Sequence, residues 1–233
     1  MTKKSKIILV TILLLIAFSI SGFQLYKTIN SKNHQKEVTK VVEKYKEIQK
    51  ENNPNVVEEY RKTFKNNEII GEFSIDNMDL KVPVAHTSNN DYYLNHLIDK
   101  SYNEIGSTFM DYRNKVDDKK IIIYGHNSEV IDTDFKKLNK YVDKSFYEKH
   151  KIMRFITLEH EFKYEIFSVY IAINNFRHVN LKENYYEHIN WLKNKSMYNT
   201  GVDVTENDDI LLIQTCYFEP KDSFLIVVGK KIK

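Results

Sequence analysis

The chain has one cysteine, three prolines and six glycines in 233 residues. A single thiol cannot close an internal disulfide, and it cannot supply a thiolate-rich zinc site. Scarce glycine and proline exclude collagen-like and low-complexity architectures. Arginine is rare as well: it stands at 61, 113, 154 and 177, and none follows Arg177. Excess charge is almost missing. The net of +3 equals the contribution of Lys3, Lys4 and Lys6; beyond residue 26, 35 less those three basic residues face 32 acidic ones. A neutral body lacks the basic footprint of a nucleic-acid binder, so no nucleic-acid partner is expected. There is no H-E-x-x-H pair and no recognisable calcium-loop spacing of carboxylates, so neither a metal nor another cofactor is expected.

What is present begins with Ile7 to Tyr26, IILVTILLLIAFSISGFQLY, without a charge. As a helix these residues would extend roughly 30 Å, about the hydrocarbon thickness of a bilayer. The run is longer than a signal-peptide core and has no clear A-x-A cleavage site, which favours an uncleaved single-pass anchor. Lysines flank both ends, so charge alone leaves the orientation nearly balanced.

Residues 31–52 carry Val38, Val41, Val42, Tyr45 and Ile48 at helical spacing, which predicts an amphipathic helix ending at Asn52-Asn53-Pro54. It is either a stalk or a helix packed on the body. Val56 to Phe64 reads as a second short helix. From Glu68 the texture becomes β-rich: 69–75, 80–85, 120–124, 152–158, 162–173, 209–215 and 224–232. Helical patterns at 91–99, 133–141 and 182–195 lie between them. Many short strands and few helices predict a mainly β fold with α insertions, a closed or nearly closed barrel.

Two sites carry chemistry. Cys216 ends the apolar run Ile210 to Thr215, and His126 follows Ile121-Ile122-Ile123-Tyr124-Gly125. A group at a strand end is rigidly held yet accessible. A thiol needs a partner for its proton, and imidazole suits that role near neutral pH. A lone cysteine is otherwise a small buried hydrophobe. His86, His96, His150, His160, His178 and His188 have no comparable setting.

The order of several segments makes the pattern specific. They are Asn90-Asp91-Tyr92-Tyr93-Leu94-Asn95, Gly106 to Asn114 (GSTFMDYRN), Ile121 to His126, Phe135-Lys136-Lys137-Leu138, Phe146-Tyr147, Phe167 to Tyr170 and Thr215-Cys216. In this order and spacing, from about residue 38 onward, the chain resembles a class B sortase. The resemblance implies an eight-stranded β-barrel with N-terminal helices behind a single transmembrane helix. It divides the chain into a cytoplasmic tail (1–6), an anchor (7–26), a helical stalk with N-terminal helices (27–67) and an extracellular catalytic barrel (68–233). It implies a Gram-positive cell-wall enzyme that cleaves a surface-protein sorting signal at a Thr carbonyl. The acyl group would pass through a thioacyl-enzyme on Cys216 to a peptidoglycan cross-bridge amine, with His126 as acid and base. Asn90, Leu94, Tyr124, Gln214, Thr215 and Phe224 would line the peptide groove. A peptidoglycan peptidase of the cysteine class usually places its cysteine before its histidine, the reverse of the order here.

One position departs from the family. Its arginine on the last strand falls on Phe224. Arg177 is expected to take that role, as a fork-shaped donor that Lys221 cannot match. The alternatives are an oxyanion held by backbone N–H groups alone, or a degenerate, weakly active or non-catalytic member that binds sorting signals. Gln214 is a second departure, where related enzymes often carry serine. Arg113 belongs to the family's own text and reads as structural.

Overall fold

The computed structural model describes residues 3–51 and 53–232. The apolar run and the amphipathic stretch form one helix, α1 (Lys3–Lys50). Residues 3–29 are exposed throughout, and the helix is long and apolar enough to cross a membrane, with a mean hydropathy of 2.4 over its most apolar 18 residues. Farther along, Val38, Val41, Tyr45 and Ile48 are buried on one face. The amphipathic part is therefore a packed helix and not a free stalk.

α2 (Val56–Phe64) buries Val57, Tyr60 and Phe64 at i, i+3 and i+7. Each such side chain contributes about 1.5–3 kcal/mol when fully buried. Polar contacts fix both helices to the barrel. Gln49 Nε2 donates to Tyr60 Oη (2.8 Å) and to the Lys81 carbonyl (3.2 Å), and Tyr60 donates to buried Glu72.

Eight strands close the barrel: β1 (Ile69–Ile75), β2 (Lys81–Ala85), β3 (Phe109–Met110), β4 (Lys120–Gly125), β5 (Ile152–Thr157), β6 (Glu161–Ile173), β7 (Ile210–Tyr217) and β8 (Ser223–Ile232). Their order is β1-β2-β3-β4-β7-β8-β6-β5, and β1 pairs with both β2 and β5. α3 (Lys144–Tyr147) and α4 (Tyr185–Lys195) lie in connections. The expected helix at 91–99 is only a 3-10 turn, Tyr92–Leu94, because Asn89 Oδ1 ties the N–H groups of Asp91 and Tyr92 into a turn. The 133–141 pattern forms a 3-10 helix, Asp134–Val142. α4 starts later than the pattern because Asn184 caps it, accepting from the Glu187 N–H (3.2 Å).

Strand alternation divides the apolar side chains into two cores. Ile121, Ile123, Leu211, Ile213, Leu225 and Val227 belong to the interior. Ile122, Ile210, Leu212, Ile226 and Val228 point outward, where Leu192 of α4 and Tyr170 cover them. The second core positions the site, because Gln214 and Cys216 continue the outward face of β7.

Candidate active site

β4 and β7 run parallel, with Gly125 as the Cα partner of Thr215. The next position on each chain is His126 and Cys216, 90 residues apart in sequence but leaving the same end of neighbouring strands, about 4.8 Å apart. Gly125 is required there. A Cβ on it would lie 2.3–2.5 Å from the Phe135 ring.

Both residues line one outer cavity of about 230 Å³, with Asn90, Asp91, Leu94, Phe109, Tyr124, Gln214, Thr215 and Phe224. The structure thus brings together the expected cysteine, histidine and groove positions. It does not bring in Arg177. That guanidinium donates to Glu183, from Nε at 2.8 Å, and stacks 4.9 Å from the Trp191 ring centroid. This differs from the expectation for Arg177, because a carboxylate six residues away in the same connection captures the fork. Phe224 stands directly opposite Cys216 across the β7–β8 ladder and packs on Phe176, ring centroids 5.5 Å apart.

Burial pushes the Cys216 thiol up and the His126 imidazole down. The Leu94 carbonyl, hydrogen-bonded to the His126 ring, opposes the second shift. His126 Nε2 is buried without a partner. Near neutral pH the resting pair is therefore a neutral thiol and a neutral imidazole, with a ring nitrogen ready to receive a proton.

Supporting residues outside the expected catalytic and groove set hold this geometry. Asn127 Nδ2 donates to the Cys216 carbonyl and to Asn139 Oδ1, each at 2.9 Å, and so ties the end of β4 to the end of β7. Asp111 accepts from Tyr124 Oη (2.7 Å), Asn90 Nδ2 (3.2 Å) and the Arg113 fork. Burial works against the ionised carboxylate, but Arg113 holds its pKa at about 2. Arg113 also reaches the Val179 carbonyl (3.1 Å), consistent with a structural part. His178, given no role from sequence, bonds Gln214 Oε1 through Nε2 at 2.7 Å. Asp111 and Arg113 lie inside the quoted GSTFMDYRN text, which is a legible signal. His178 and Asn127 carry none beyond the neighbours of a motif. Among the described residues no group of three or more His, Cys, Asp or Glu is placed to hold a metal.

A β-barrel whose parallel pair delivers a cysteine and a histidine to one outer cavity is an arrangement suited to thiol-based acyl transfer. The sortase domain model matches residues 73–232, so the chain belongs to the sortase family, a family of cysteine transpeptidases. The similarity runs to class B. Sortase B of Staphylococcus aureus is 28% identical over 243 residues, covering 100% of this chain and 99% of that one. The S. aureus sortase B–substrate complex superposes with a TM-score of 0.73 at 27% identity, covering 85% of this chain and 97% of that one. A crystal structure of sortase B complexed with triglycine gives a TM-score of 0.71 at 27% identity, covering 87% and 98%.

Proposed function

We propose that this chain is a membrane-anchored transpeptidase with Cys216 as nucleophile and His126 as acid and base. It cleaves a surface-protein sorting signal at a Thr carbonyl and joins the protein to a peptidoglycan cross-bridge amine. Residues 7–26 span the membrane once, the short tail stays in the cytoplasm, and the barrel works outside. The observation that carries this reading is the adjacent exit of Cys216 and His126 from parallel β4 and β7 into one cavity. Relatives solved with a substrate and with triglycine support a peptide signal and an amine acceptor.

The chemistry starts from the neutral pair. As the peptide fills the cavity, the Cys216 proton passes to His126 Nε2 and sulfur attacks the Thr carbonyl carbon. The C=O electrons move onto oxygen. When the oxyanion collapses, the C–N bond breaks and His126 returns the proton to the leaving amine, which leaves a thioester on Cys216. An incoming amine then attacks that carbon, His126 takes its proton and passes it to the departing sulfur, and an amide and a free thiol result. The split suits a thiol, a good nucleophile and a good leaving group.

Full-length protein in detergent micelles, given a panel of sorting-signal peptides with and without an amine acceptor, tests the reading. A ligated product that displaces hydrolysed product when amine is added is the expected result. Hydrolysis that ignores the amine would sink the transpeptidase reading. Phe224 opposite Cys216 favours a second reading, a sorting-signal binder with weak or no turnover. Peptide that binds but never acylates Cys216 would select it.

A further inference from the structure

Acyl transfer to Cys216 places negative charge on a carbonyl oxygen inside the outer cavity. That oxygen needs hydrogen-bond donors already aimed at it. The polar side chains lining the cavity are few, and the structure engages most of them elsewhere. Asn90 is turned away, with Nδ2 on Asp111 and Oδ1 accepting the Tyr112 N–H (2.9 Å). Tyr124 donates its hydroxyl to Asp111. Asp91 as a carboxylate only accepts. Thr215 borders the cavity with its backbone; it is 1% exposed and, by strand alternation, its buried, unpartnered Oγ1 turns to the barrel interior, away from Cys216 and against the groove role expected for it. His126 is occupied with the proton in transit. Leu94, Phe109 and Phe224 have nothing to donate.

Gln214 remains. It lies two residues before Cys216 on the same outward face of β7, and it lines the cavity with it. Its Oε1 is committed to His178 Nε2 at 2.7 Å. Burial holds His178 down to about 4, so the ring is neutral with a single N–H. With that proton on Nε2, the buried, unpartnered Nδ1 is left as an acceptor. The opposite tautomer would strand a buried N–H, the rarer and costlier orphan. Oε1 therefore faces His178, and the Nε2 amide of Gln214 is left to donate.

His178 is itself held firmly. It is fully buried on the 3-10 turn Arg177–Val179. The carbonyls of residues 178, 179 and 180 accept from Lys120 Nζ (2.6 Å), Arg113 (3.1 Å) and Lys120 Nζ (3.0 Å). The amide is thus oriented before any substrate arrives, which is the condition under which such a donor lowers a barrier.

We propose that Gln214, oriented by His178, donates the side-chain hydrogen bond to the substrate carbonyl oxygen beside Cys216, in a site where the facing strand offers only Phe224. The inference rests on the transpeptidase reading above. Gln214 is a catalytic residue in this account, and His178 is a positioning residue.

The test uses full-length protein in detergent micelles and reads thioacyl formation on Cys216 by intact mass. Gln214→Glu keeps an oxygen for His178 and replaces the donor, while Gln214→Leu removes both. Both variants should lower kcat/KM for acylation on the order of 100-fold. Alkylation of Cys216 by iodoacetamide should stay within about threefold of wild type, because it develops no oxyanion. A Phe224→Arg change in the Gln214→Leu background should recover at least roughly tenfold, by placing a donor opposite the thiol. Melting temperatures identify a variant that fails to fold, and Gln214→Glu then decides. Acylation within about threefold of wild type in that variant overturns the inference and leaves the enzyme reading standing. Wild-type protein that never acylates, though Cys216 alkylates, overturns both.

Discussion

Cys216 and Phe224 are Cα partners on β7 and β8, so the side chain facing the nucleophile from the neighbouring strand is an aromatic ring. The ring packs on Phe176 and closes one wall of the cavity with apolar surface. A donor introduced there would sit beside the reacting carbonyl. Phe224→Arg should raise kcat/KM for acylation by roughly tenfold, at a stability cost of about 1 kcal/mol from the lost aromatic pair. Acylation kinetics and a melting curve on the same sample check both halves. A slower variant that keeps its melting temperature would contradict the role given to this wall.

Arg177→Ala should leave acylation within about threefold of wild type. Its guanidinium is spent on Glu183 and the Trp191 face, and exposed pairs of this kind contribute little. A hundredfold loss, with peptide affinity intact, would return Arg177 to the chemistry.

Lys120→Met should cost about 2–3 kcal/mol, because it orphans the buried His178 carbonyl, the part-buried Asn180 carbonyl and His188 Nε2 (2.7 Å from Nζ). Burial pushes the Lys120 ammonium down to about 7, and those three acceptors satisfy it. The turn that carries His178 then loses its support, so kcat for acylation should fall more than iodoacetamide reactivity does. Equal losses in both would mean a general collapse of the site.

The pH dependence follows from opposite shifts. The Cys216 thiol titrates above 9.0 and the His126 imidazole below 6.5 in the free protein. The kcat/KM profile for acylation should therefore be a broad bell, with an acid limb below 6.5 and a basic limb above 9.0. Stability follows the same signs. A histidine whose folded pKa is depressed adds stability that is present above 6.5 and lost as pH falls through its folded value. His178 and His188, both held at about 4 by burial, add to this, so melting temperature should drop between pH 6.5 and 4. The raised thiol acts the other way: its contribution is present below 9.0 and lost as pH climbs past it. A melting temperature flat from pH 7 to pH 4 would contradict the burial of these imidazoles.

Much of this architecture was readable because the strands are long and rich in Ile, Val and Phe. β3 was not, since Phe109–Met110 is too short for any alternation to register. The amphipathic Val38–Ile48 face was legible, but whether it packed on the body depended on partners such as Gln49 and Tyr60, set by tertiary contact. Cys216 and His126 stood out as strand-end residues, yet only the parallel pairing of β4 with β7 puts them side by side. That pairing is a crossover property, and no local pattern encodes it. The Gln214–His178 bond spans 36 residues between a strand and a 3-10 turn, and nothing around His178 announces it. The capture of Arg177 by Glu183 is local in sequence, but the expectation for Arg177 rested only on the missing arginine and not on the carboxylate six residues on.

Intact mass spectrometry of the full-length protein after mixing with sorting-signal peptides reads the thiol chemistry directly. A covalent acyl adduct on Cys216 is expected with at least one peptide, gone in Cys216→Ala, strongly slowed in His126→Ala and discharged by an added amine. An adduct that survives in Cys216→Ala, or a reactive thiol that no peptide acylates, would contradict this chemistry.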